Sequence, residues 1–275
     1  MPDYTAQRMN MVESQVRAND VTDIRIHDAM REVPRERFVP TVKRGVAYAD
    51  GAIEVVANRY LLEPRTFSKL IQLAQVASTD SVLDVGCAIG YLSEILAQRG
   101  FSVTSIDWPN SPHPPTVEFA GADLDDGLPP LRGQFDYVIC ADVLEHLRAP
   151  VELLKECRAR LAPGGILVGS LPNSGHFYFR WNVLTGRFPQ HQRGLFDSTH
   201  LHFYTWDGWQ ALLNRAGLRV ESVGCSGVPA SLAFPRWEGS LAVRFVEWFS
   251  FRAARVWKTM CAYQFIVRTC KEETE

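Results

Sequence analysis

The chain has 275 residues, 46% hydrophobic and 22% charged, so it can bury a sizeable core, which excludes wholesale disorder. Its 29 Lys and Arg residues against 31 Asp and Glu residues give a net charge of −2, which argues against a general nucleic-acid binder, because such proteins carry a basic excess. Six scattered cysteines, without a C-x-x-C pair, favour a reducing compartment over a zinc site or a disulfide framework.

The segment 1–30 is charged throughout, and no long uncharged apolar stretch occurs in the chain. These features predict neither a signal peptide nor a membrane-spanning helix, and we expect a cytoplasmic protein. From residue 5 to about 75, apolar residues recur at helical spacing interrupted by prolines, with a last helix over Pro64–Ala77. The sequence therefore predicts an N-terminal helical extension over 1–78.

Strands and helices alternate from residue 79 onward, which predicts a doubly wound α/β sheet over 79–275. The expected strands are SVLDVG, FSVTSID, VEFAGADL, FDYVICAD, ILVGSLP, LRVESVGC and AYQFIVRT. Residues 173–205 are aromatic and polar without a clear period, and we interpret them as an insertion on the acceptor side of the domain. A long amphipathic helix is predicted over 240–260.

The sharpest local signal is the loop Asp84-Val-Gly86-Cys-Ala88-Ile-Gly90, which lies between a predicted strand and a predicted helix. Its small residues let the backbone approach a ligand closely, and the following helix offers N–H groups at its N-terminus. Asp107 closes the next strand, about 20 residues further on, where a carboxylate that binds ribose hydroxyls is expected. The alternative is a purely structural turn.

This loop differs from the dinucleotide-binding pattern, because Tyr91 stands where that pattern needs its last glycine. Asp84 also suits a positively charged ligand group better than a pyrophosphate. The loop resembles motif I of class I S-adenosylmethionine-dependent methyltransferases, whose cofactor carries an amino group and a sulfonium. The resemblance implies a Rossmann-like seven-stranded sheet, mostly parallel with an antiparallel last strand. It also implies S-adenosylmethionine as the cofactor, bound by Asp84, Gly86, Ala88, Gly90 and Asp107.

Residues 9–98 resemble the N-terminal half of the protein-L-isoaspartate O-methyltransferase family, through MVESQVRANDVTDIRIHDAMREVPRERFVP, AYADG and VLDVGCAIGYLSEILA. That family has a Thr-Ile-Ser-x-Pro loop that handles the isoaspartyl substrate. Here the loop is Tyr60-Leu61-Leu62-Glu63-Pro64, so Tyr60 stands for the threonine and Leu62 for the serine. This departure argues against isoaspartate repair.

Residues from about 104 to 270 resemble a different class I branch, found alone or beside glycosyltransferase domains, through SPHPPTVEFAGADLDDGLP, FDYVICADVLEHLRAP, LAPGGILVGSLPN, GRFPQHQRGLFDSTHLHFYT and AYQFIVR. In that branch the acid after the third strand, here Asp123 with Leu124, contacts adenine. The segment after the fourth strand lines the active site, which implies that Asp142, Glu145 and His146 lie near the methyl donor. Sugars and small metabolites are the acceptors that this resemblance implies.

Methyl transfer to a hydroxyl or an acid benefits from a base beside the acceptor. His146, His200 and His202 are the catalytic candidates, because an imidazole takes up a proton near neutral pH. The last two alternate, so on a strand they would share one side. The alternatives are a helix cap with a surface imidazole at His146 and a polar loop held by its own hydrogen bonds at the other two. The ligand spacing supports no metal site.

Two aromatic segments have two interpretations each. The run HFYFRWNVL, over 176–184, is either a lid on an apolar acceptor or, more commonly for such stripes, core packed on the sheet. The 240–260 helix carries aromatic and basic residues and either rests on a membrane surface or, more simply, covers one face of the sheet. Eight carboxylates between Asp107 and Glu145, against the single Arg132, disfavour polyanionic acceptors such as nucleic acid.

The sequence thus predicts an S-adenosylmethionine-dependent methyltransferase, with O-methylation of a small-molecule or saccharide-type acceptor as the first interpretation. Methylation of a protein carboxyl group is the alternative activity. A third interpretation is a regulatory or partner-docking module that binds the cofactor without turnover, because the chain joins resemblances to two branches. The sequence leaves the oligomeric state open.

Overall fold

The computed structural model describes residues 3–56, 59–75, 80–228 and 240–272. The strands in chain order are β1 (Ile53–Val56), β2 (Arg59–Leu61), β3 (Ser81–Val85), β4 (Ser102–Asp107), β5 (Glu118–Gly121), β6 (Phe135–Ala141), β7 (Leu161–Pro172), β8 (Leu218–Ser226) and β9 (Gln264–Lys271). The helices are α1 (Tyr4–Met11), α2 (Ile24–Glu32), α3 (Pro64–Ala74), α4 (Tyr91–Gln98), α5 (Pro150–Arg160), α6 (Phe177–Leu184), α7 (Trp206–Arg215), α8 (Leu241–Val256) and α9 (Lys258–Cys261).

A seven-stranded sheet with the order β5-β4-β3-β6-β7-β9-β8 forms the centre of the molecule. Strands β3 to β7 pair in parallel, and β9 pairs antiparallel with both β7 and β8. This confirms the predicted Rossmann-like sheet and its antiparallel last strand. Because Val85 pairs with both Ile106 and Cys140, the carboxyl ends of β3, β4 and β6 meet at one edge.

Alternate residues of the central strands enter two separate cores, as the period of a strand requires. Val82 and Ile139 belong to one core, whereas their neighbours Leu83 and Val138 belong to the other. Side chains of α1 to α4 complete the first core, and side chains of α5, α7 and α8 complete the second. The N-terminal segment therefore covers one face of the sheet and shares a continuous apolar core with it.

The N-terminal segment is less helical than predicted, because it also contains the antiparallel hairpin of β1 and β2. In β1, buried Ile53 and Val55 flank the partly exposed Glu54, a period-two pattern too short to stand out from the helical spacing around it. The predicted helix over Pro64–Ala77 ends at Ala74, where Gln75 takes a left-handed conformation with φ 58°. Its last predicted residues lie outside the described ones.

The core interpretation of the aromatic segment 176–184 is wrong for most of its residues. Trp181 in α6 is 64% exposed and Phe177 is 54% exposed. Phe179 is buried, but it stacks on Phe196 in a small cluster separate from the sheet cores, with ring centroids 4.4 Å apart. Most of the segment therefore does not pack on the sheet, because later residues of the same insertion supply its apolar contacts.

The predicted 240–260 helix is interrupted at Trp257 (φ −132°, ψ 76°), which separates α8 from α9. Phe251 and Ala254 are buried against the domain, as the simpler interpretation predicts, whereas Trp248 and Phe249 are exposed. In the described parts of the chain, no helix is long and apolar enough to cross a bilayer.

Candidate active site

A cavity of about 650 Å³ lies at the carboxyl ends of β3, β4 and β6, the edge at which open α/β sheets bind ligands. The part beside the loops after β3, β4 and β5 is called the donor half, after its predicted role. The part lined by the loop after β6 and by residues of the segment 193–200 is called the acceptor half. Of the predicted site residues, the cavity lining includes Asp84, Gly86, Ala88, Asp107, Asp123, Leu124, Asp142, His146 and His200.

The loop after β3 has a backbone that only small residues accept. Gly86 and Gly90 have φ of 75° and 73°, and a Cβ at either position would lie 2.4 Å from a neighbouring side-chain carbon, of Val143 and Pro114 respectively. Ala88 is also left-handed, with φ 51°, a conformation that costs a residue with a Cβ about 1 to 2 kcal/mol. Gly90 is not part of the cavity lining, so its contribution is to the turn that starts α4.

Asp84, at the end of β3, is 2% exposed and lines the donor half. Burial raises the pKa of its carboxyl from 3.8 to about 7, against the opposing effect of the Ser93 hydroxyl, which donates to Oδ2 at 2.6 Å. Ser105 donates in turn to Ser93 at 2.7 Å. A buried acid with this pKa is stabilised as a carboxylate by a positively charged ligand, so the donor half fits a cofactor that carries an amino group and a sulfonium.

Asp107, at the end of β4, organises the rest of the donor half. Its Oδ2 accepts the N–H of Ala88 at 2.8 Å, and its Oδ1 accepts the N–H of Trp108 at 2.7 Å and the hydroxyl of Ser111 at 3.0 Å. Asp123 accepts the N–H of Asp125 at 3.0 Å, which shapes the turn after β5. Both acids therefore line the donor half, and their ribose and adenine contacts stay a prediction.

Asp142 lies between the two halves, directly after β6, in a left-handed conformation with φ 53°. Ser170 donates to its Oδ1, and the Gln264 amide donates to Oδ1 and Oδ2 at 3.1 and 3.0 Å. Burial raises the pKa of this carboxyl above its usual range. These contacts tie Asp142 to β7 and β9, so the carboxylate is held in a fixed orientation.

In the acceptor half, Glu145, His146 and His200 come together. The Oε1 of Glu145 lies 3.9 Å from Nε2 of His200, and the two imidazole centroids are 4.8 Å apart. Glu145 is 1% exposed, and burial raises the pKa of its carboxyl well above the usual range. Burial also lowers the pKa of His200 to about 4, so this imidazole is neutral at physiological pH. The segment that carries His200 is fixed by Leu201, whose N–H donates to the Glu145 carbonyl at 2.8 Å.

A chain of hydrogen bonds determines the tautomer of His146. The Thr199 hydroxyl donates to Oδ1 of Asp197 at 2.6 Å, so it accepts from Nδ1 of His146, which lies 3.0 Å away. The carbonyl of Thr199, which can only accept, lies 3.3 Å from the same Nδ1. Nδ1 therefore carries the proton, and in the neutral ring Nε2 carries the lone pair.

His202 lies outside the cavity lining, unlike the other two catalytic candidates. The prediction that His200 and His202 share one side assumed a strand, but residues 200–204 form no strand. The His202 ring stacks instead on Tyr204, with centroids 5.3 Å apart, and Tyr204 packs on the buried Trp209. The structure thus brings together only two of the three predicted imidazoles.

Glu63 is a cavity residue that the sequence analysis missed. It is 6% exposed, and burial raises the pKa of its carboxyl to about 7, with a further contribution from the Asp142 charge. Its position in the loop that departs from the isoaspartyl pattern was the available signal. Tyr60, in the same loop, donates its hydroxyl to the Gln192 carbonyl at 2.6 Å and so contacts the insertion.

Comparison with known proteins classifies this arrangement. A model of the methyltransferase domain family matches residues 32–223, well over half of the chain. The chain belongs to the methyltransferase domain family. Within it, the sheet order and the loop after β3 are those of a class I S-adenosylmethionine-dependent methyltransferase, and S-adenosylmethionine is its cofactor.

Curated relatives of this methyltransferase include a protein-L-isoaspartate O-methyltransferase from Methylorubrum extorquens, 36% identical over 107 residues, which are 39% of this chain and 47% of that protein. An Anaeromyxobacter protein-L-isoaspartate O-methyltransferase is 30% identical over 155 residues, 53% of this chain and 64% of that protein. The chain thus spans between 42% and 64% of the length of such curated relatives.

Solved structures support the fold. A Haloferax volcanii methyltransferase, solved in complex with the Trm112 methyltransferase activator, aligns with a TM-score of 0.52 at 17% identity, over 76% of this chain and 89% of that one. The YcgJ protein of Bacillus subtilis aligns with a TM-score of 0.50 at 14% identity, over 76% of this chain and 99% of that one. At these identities the likeness concerns the fold alone.

Proposed function

We propose that this methyltransferase transfers the methyl group of S-adenosylmethionine to a hydroxyl oxygen of a small-molecule or saccharide-type acceptor. The observation that carries the proposal is the cluster of Glu145, His146 and His200, which lies in the acceptor half near the carboxylate of Asp142. Carboxylates and imidazoles accept hydrogen bonds from hydroxyl groups and remove their protons.

The cofactor is held, in this proposal, by the predicted residues that line the cavity, which are Asp84, Gly86, Ala88, Asp107, Asp123, Leu124 and Asp142. Gly90, which lies outside the lining, supports them through the turn that starts α4. The charge of the donor half supports this assignment. Asp84 is a buried acid whose pKa of about 7 favours a cationic partner. The left-handed loop after β3 consists of small residues, so it presents mainly backbone atoms to the donor half.

A hydroxyl acceptor is favoured over a carboxylate acceptor by the charge of the acceptor half. Among the cavity residues, Glu63 and Glu145 are buried and Asp142 is half-buried, and desolvation raises the pKa of all three carboxyls. Arg193 is the one Lys or Arg in the described cavity lining, and its Nη1 donates to the Ala52 carbonyl at 2.8 Å. A carboxylate acceptor, as in isoaspartyl methylation, would therefore enter a site that already disfavours negative charge.

The bound cofactor supplies an electrophilic methyl group, which passes to the acceptor oxygen as the carbon–sulfur bond breaks and S-adenosylhomocysteine leaves. The acceptor loses its hydroxyl proton as the new carbon–oxygen bond forms. The role proposed for the cluster of Glu145, His146 and His200 is to hold that oxygen and promote loss of the proton. The hydrogen bonds of His146 to Thr199 fix its ring for this role.

The test incubates the purified protein with tritium-labelled S-adenosylmethionine and a panel of monosaccharides, glycosides and nucleotide sugars, with an isoaspartyl peptide as the comparison acceptor. Methyl ethers survive alkali, whereas methyl esters release methanol. We expect alkali-stable label in at least one saccharide. His200→Ala should reduce that transfer at least about tenfold while the cofactor Kd changes less than about threefold, and Asp107→Ala should weaken cofactor binding itself.

Three results would contradict the proposal. Alkali-labile label on the isoaspartyl peptide alone would favour the protein carboxyl methyltransferase alternative. Cofactor binding without transfer to any acceptor in the panel or in a cell-lysate fraction would favour the non-catalytic module. Undiminished transfer in the His200 variant would exclude the cluster as the group that acts on the acceptor.

A further inference from the structure

Three metal-ligating side chains converge in the acceptor half. The ligand atoms of Glu145, His146 and His200 all lie within 4.8 Å of one another, and in the described residues no other group of three such side chains does so. The Glu145–His200 pair is already at 3.9 Å. An ion about 2.1 Å from each ligand atom separates those atoms by about 3 to 4 Å, so small side-chain rotations complete the site.

Glu145 provides an independent sign that a ligand belongs here. It is 1% exposed and lines the cavity, and its Oε2 has no hydrogen-bond partner. A buried carboxylate oxygen without a partner is costly, because it has lost its hydration without a replacement. The carboxylates of Asp142 and Asp197 add to the negative potential at Glu145. A bound cation would compensate both effects.

His146 is oriented in the way that metal-binding histidines are. In such sites the second ring nitrogen usually donates to a carbonyl, carboxylate or water, which fixes the ring and its tautomer. Here Nδ1 donates to Thr199, and the Thr199 hydroxyl continues to the Asp197 carboxylate. This places the lone pair on Nε2, so a metal ion bound by His146 is coordinated through that nitrogen.

We propose that Glu145, His146 and His200 bind a divalent first-row transition-metal ion, and that the ion binds the acceptor hydroxyl. The proposal rests on the proposed function and specifies how the cluster acts. Two imidazoles and one carboxylate leave coordination positions open for oxygen ligands, and such sets select ions of the Mn²⁺ to Zn²⁺ series. The sequence predicts no metal here, because Glu145 and His146 lie far from His200 along the chain.

A metal in this position gives a physical reason for a saccharide-type acceptor. A divalent ion lowers the pKa of a bound hydroxyl, so the oxygen loses its proton to solvent and attacks the methyl carbon as an alkoxide, without any change of oxidation state. Two adjacent hydroxyls of a sugar can occupy two open positions at once, which orients the reacting oxygen. We therefore infer that the acceptor carries neighbouring oxygen atoms.

The test measures metal binding directly. The full-length protein, freed of any affinity tag and dialysed against a chelator, is titrated with Mn²⁺ while the electron paramagnetic resonance signal of unbound Mn²⁺ is recorded. We expect one tightly bound ion per chain. Co²⁺ loaded into the same protein should give visible d–d absorption that changes when a vicinal diol is added, a readout that needs no variant.

The variants are Glu145→Gln, which keeps the shape of the side chain, and His200→Ala. Each should weaken Mn²⁺ binding at least about tenfold. The matched control is His191→Ala, because His191 is exposed in the same segment but outside the cluster, and it should leave the affinity unchanged. Circular dichroism and the melting temperature report whether each variant folds. Equal Mn²⁺ affinity in wild type and both cluster variants, or no binding by wild type, overturns the proposal.

The metal and the acceptor class are tested separately. Metal binding that depends on the cluster, without transfer to any saccharide, leaves the metal site in place and rejects the proposed acceptor. Transfer that continues unchanged after chelation rejects the metal and leaves O-methylation in place. Transfer that is lost on chelation and restored by Mn²⁺, but not in Glu145→Gln, supports both.

Discussion

The donor half contains a residue, Asp84, whose replacement should both stabilise the protein and weaken its cofactor binding. Burial raises the pKa of Asp84 from 3.8 to about 7. At about 1.4 kcal/mol per pH unit, ionising this buried acid costs the folded state about 4 kcal/mol of unfolding free energy near pH 7 and above. Asp84→Asn removes the charge but leaves an amide that needs partners. We expect a net gain of about 3 kcal/mol in the cofactor-free protein, or about 5 °C in melting temperature.

The sign of the pH dependence follows from the direction of the shift. Because the folded pKa lies above the unfolded one, the stability that protonated Asp84 contributes is fully present below about pH 3.8 and is lost as pH rises through about 7. The stability difference between Asp84→Asn and wild type should therefore grow from pH 5 to pH 8 by about 2 to 3 kcal/mol. Urea unfolding across this range, without cofactor, measures it.

Asp136→Asn is the matched control, because hydrogen bonds from Ser81 lower the pKa of Asp136 and its removal should not stabilise the protein. Calorimetric titration with S-adenosylmethionine should meanwhile show at least about tenfold weaker binding in Asp84→Asn. A stability difference that does not change with pH, or an Asp84→Asn protein that is less stable than wild type at pH 8, would refute the reasoning.

Gly86→Ala should cost about 1 to 3 kcal/mol of unfolding free energy and weaken cofactor binding, because the new Cβ would lie 2.4 Å from Val143 and φ is 75°. Urea unfolding measures the stability and calorimetry measures the cofactor Kd, and an unchanged value in either contradicts the prediction. Thr199→Val should weaken Mn²⁺ binding about tenfold while the cofactor Kd stays unchanged, because it disconnects His146 from Asp197. Trp181→Ala should change the free energy of unfolding by less than about 0.5 kcal/mol, because the Trp181 side chain is 64% exposed. A larger loss of stability in thermal melts would contradict this prediction and indicate a packing role for Trp181.

The sheet was predictable because its strands carry two independent signals. The near-continuous apolar run of β6 is what a strand buried on both faces requires, and β3 ends in a loop of small residues whose conformation demands them. The hairpin of β1 and β2 was not predictable, because it has few residues and only one buried face. The segments on either side of the hairpin have apolar residues at helical spacing. Any stretch of sequence long enough to show a period includes these segments, so the helical period hides the period of the short strands.

The candidate site was predictable only where the chain itself places residues together. Asp142, Glu145 and His146 follow one strand, so their proximity is local. His200 reaches them because the Glu145 carbonyl accepts the N–H of Leu201, a tertiary contact with no signature in the sequence. Because the sequence does not show this contact, the alternation of His200 and His202 predicted a strand. The position of the His202 imidazole, outside the cavity lining, was therefore missed.

The resemblance to two branches raises the question of whether the two parts of the chain form one acceptor half. The contacts of the described residues argue that they do. The Tyr60 hydroxyl donates to Gln192, and Arg193 donates to the Ala52 carbonyl, so the N-terminal hairpin and the insertion are joined on both sides. Tyr60 is one of the residues that depart from the isoaspartyl pattern.

The same departure therefore has a structural role. Where a threonine would serve an isoaspartyl substrate, the longer Tyr60 side chain reaches the insertion at 2.6 Å, and the insertion brings His200 to Glu145. Deeper in the molecule, Thr66 donates to the Gln264 amide oxygen at 3.0 Å, and that amide holds Asp142. The front of the chain thus contacts both the insertion and the hydrogen-bond network that holds Asp142. These contacts argue against the premise of the non-catalytic module, which is an acceptor pocket that fails to close.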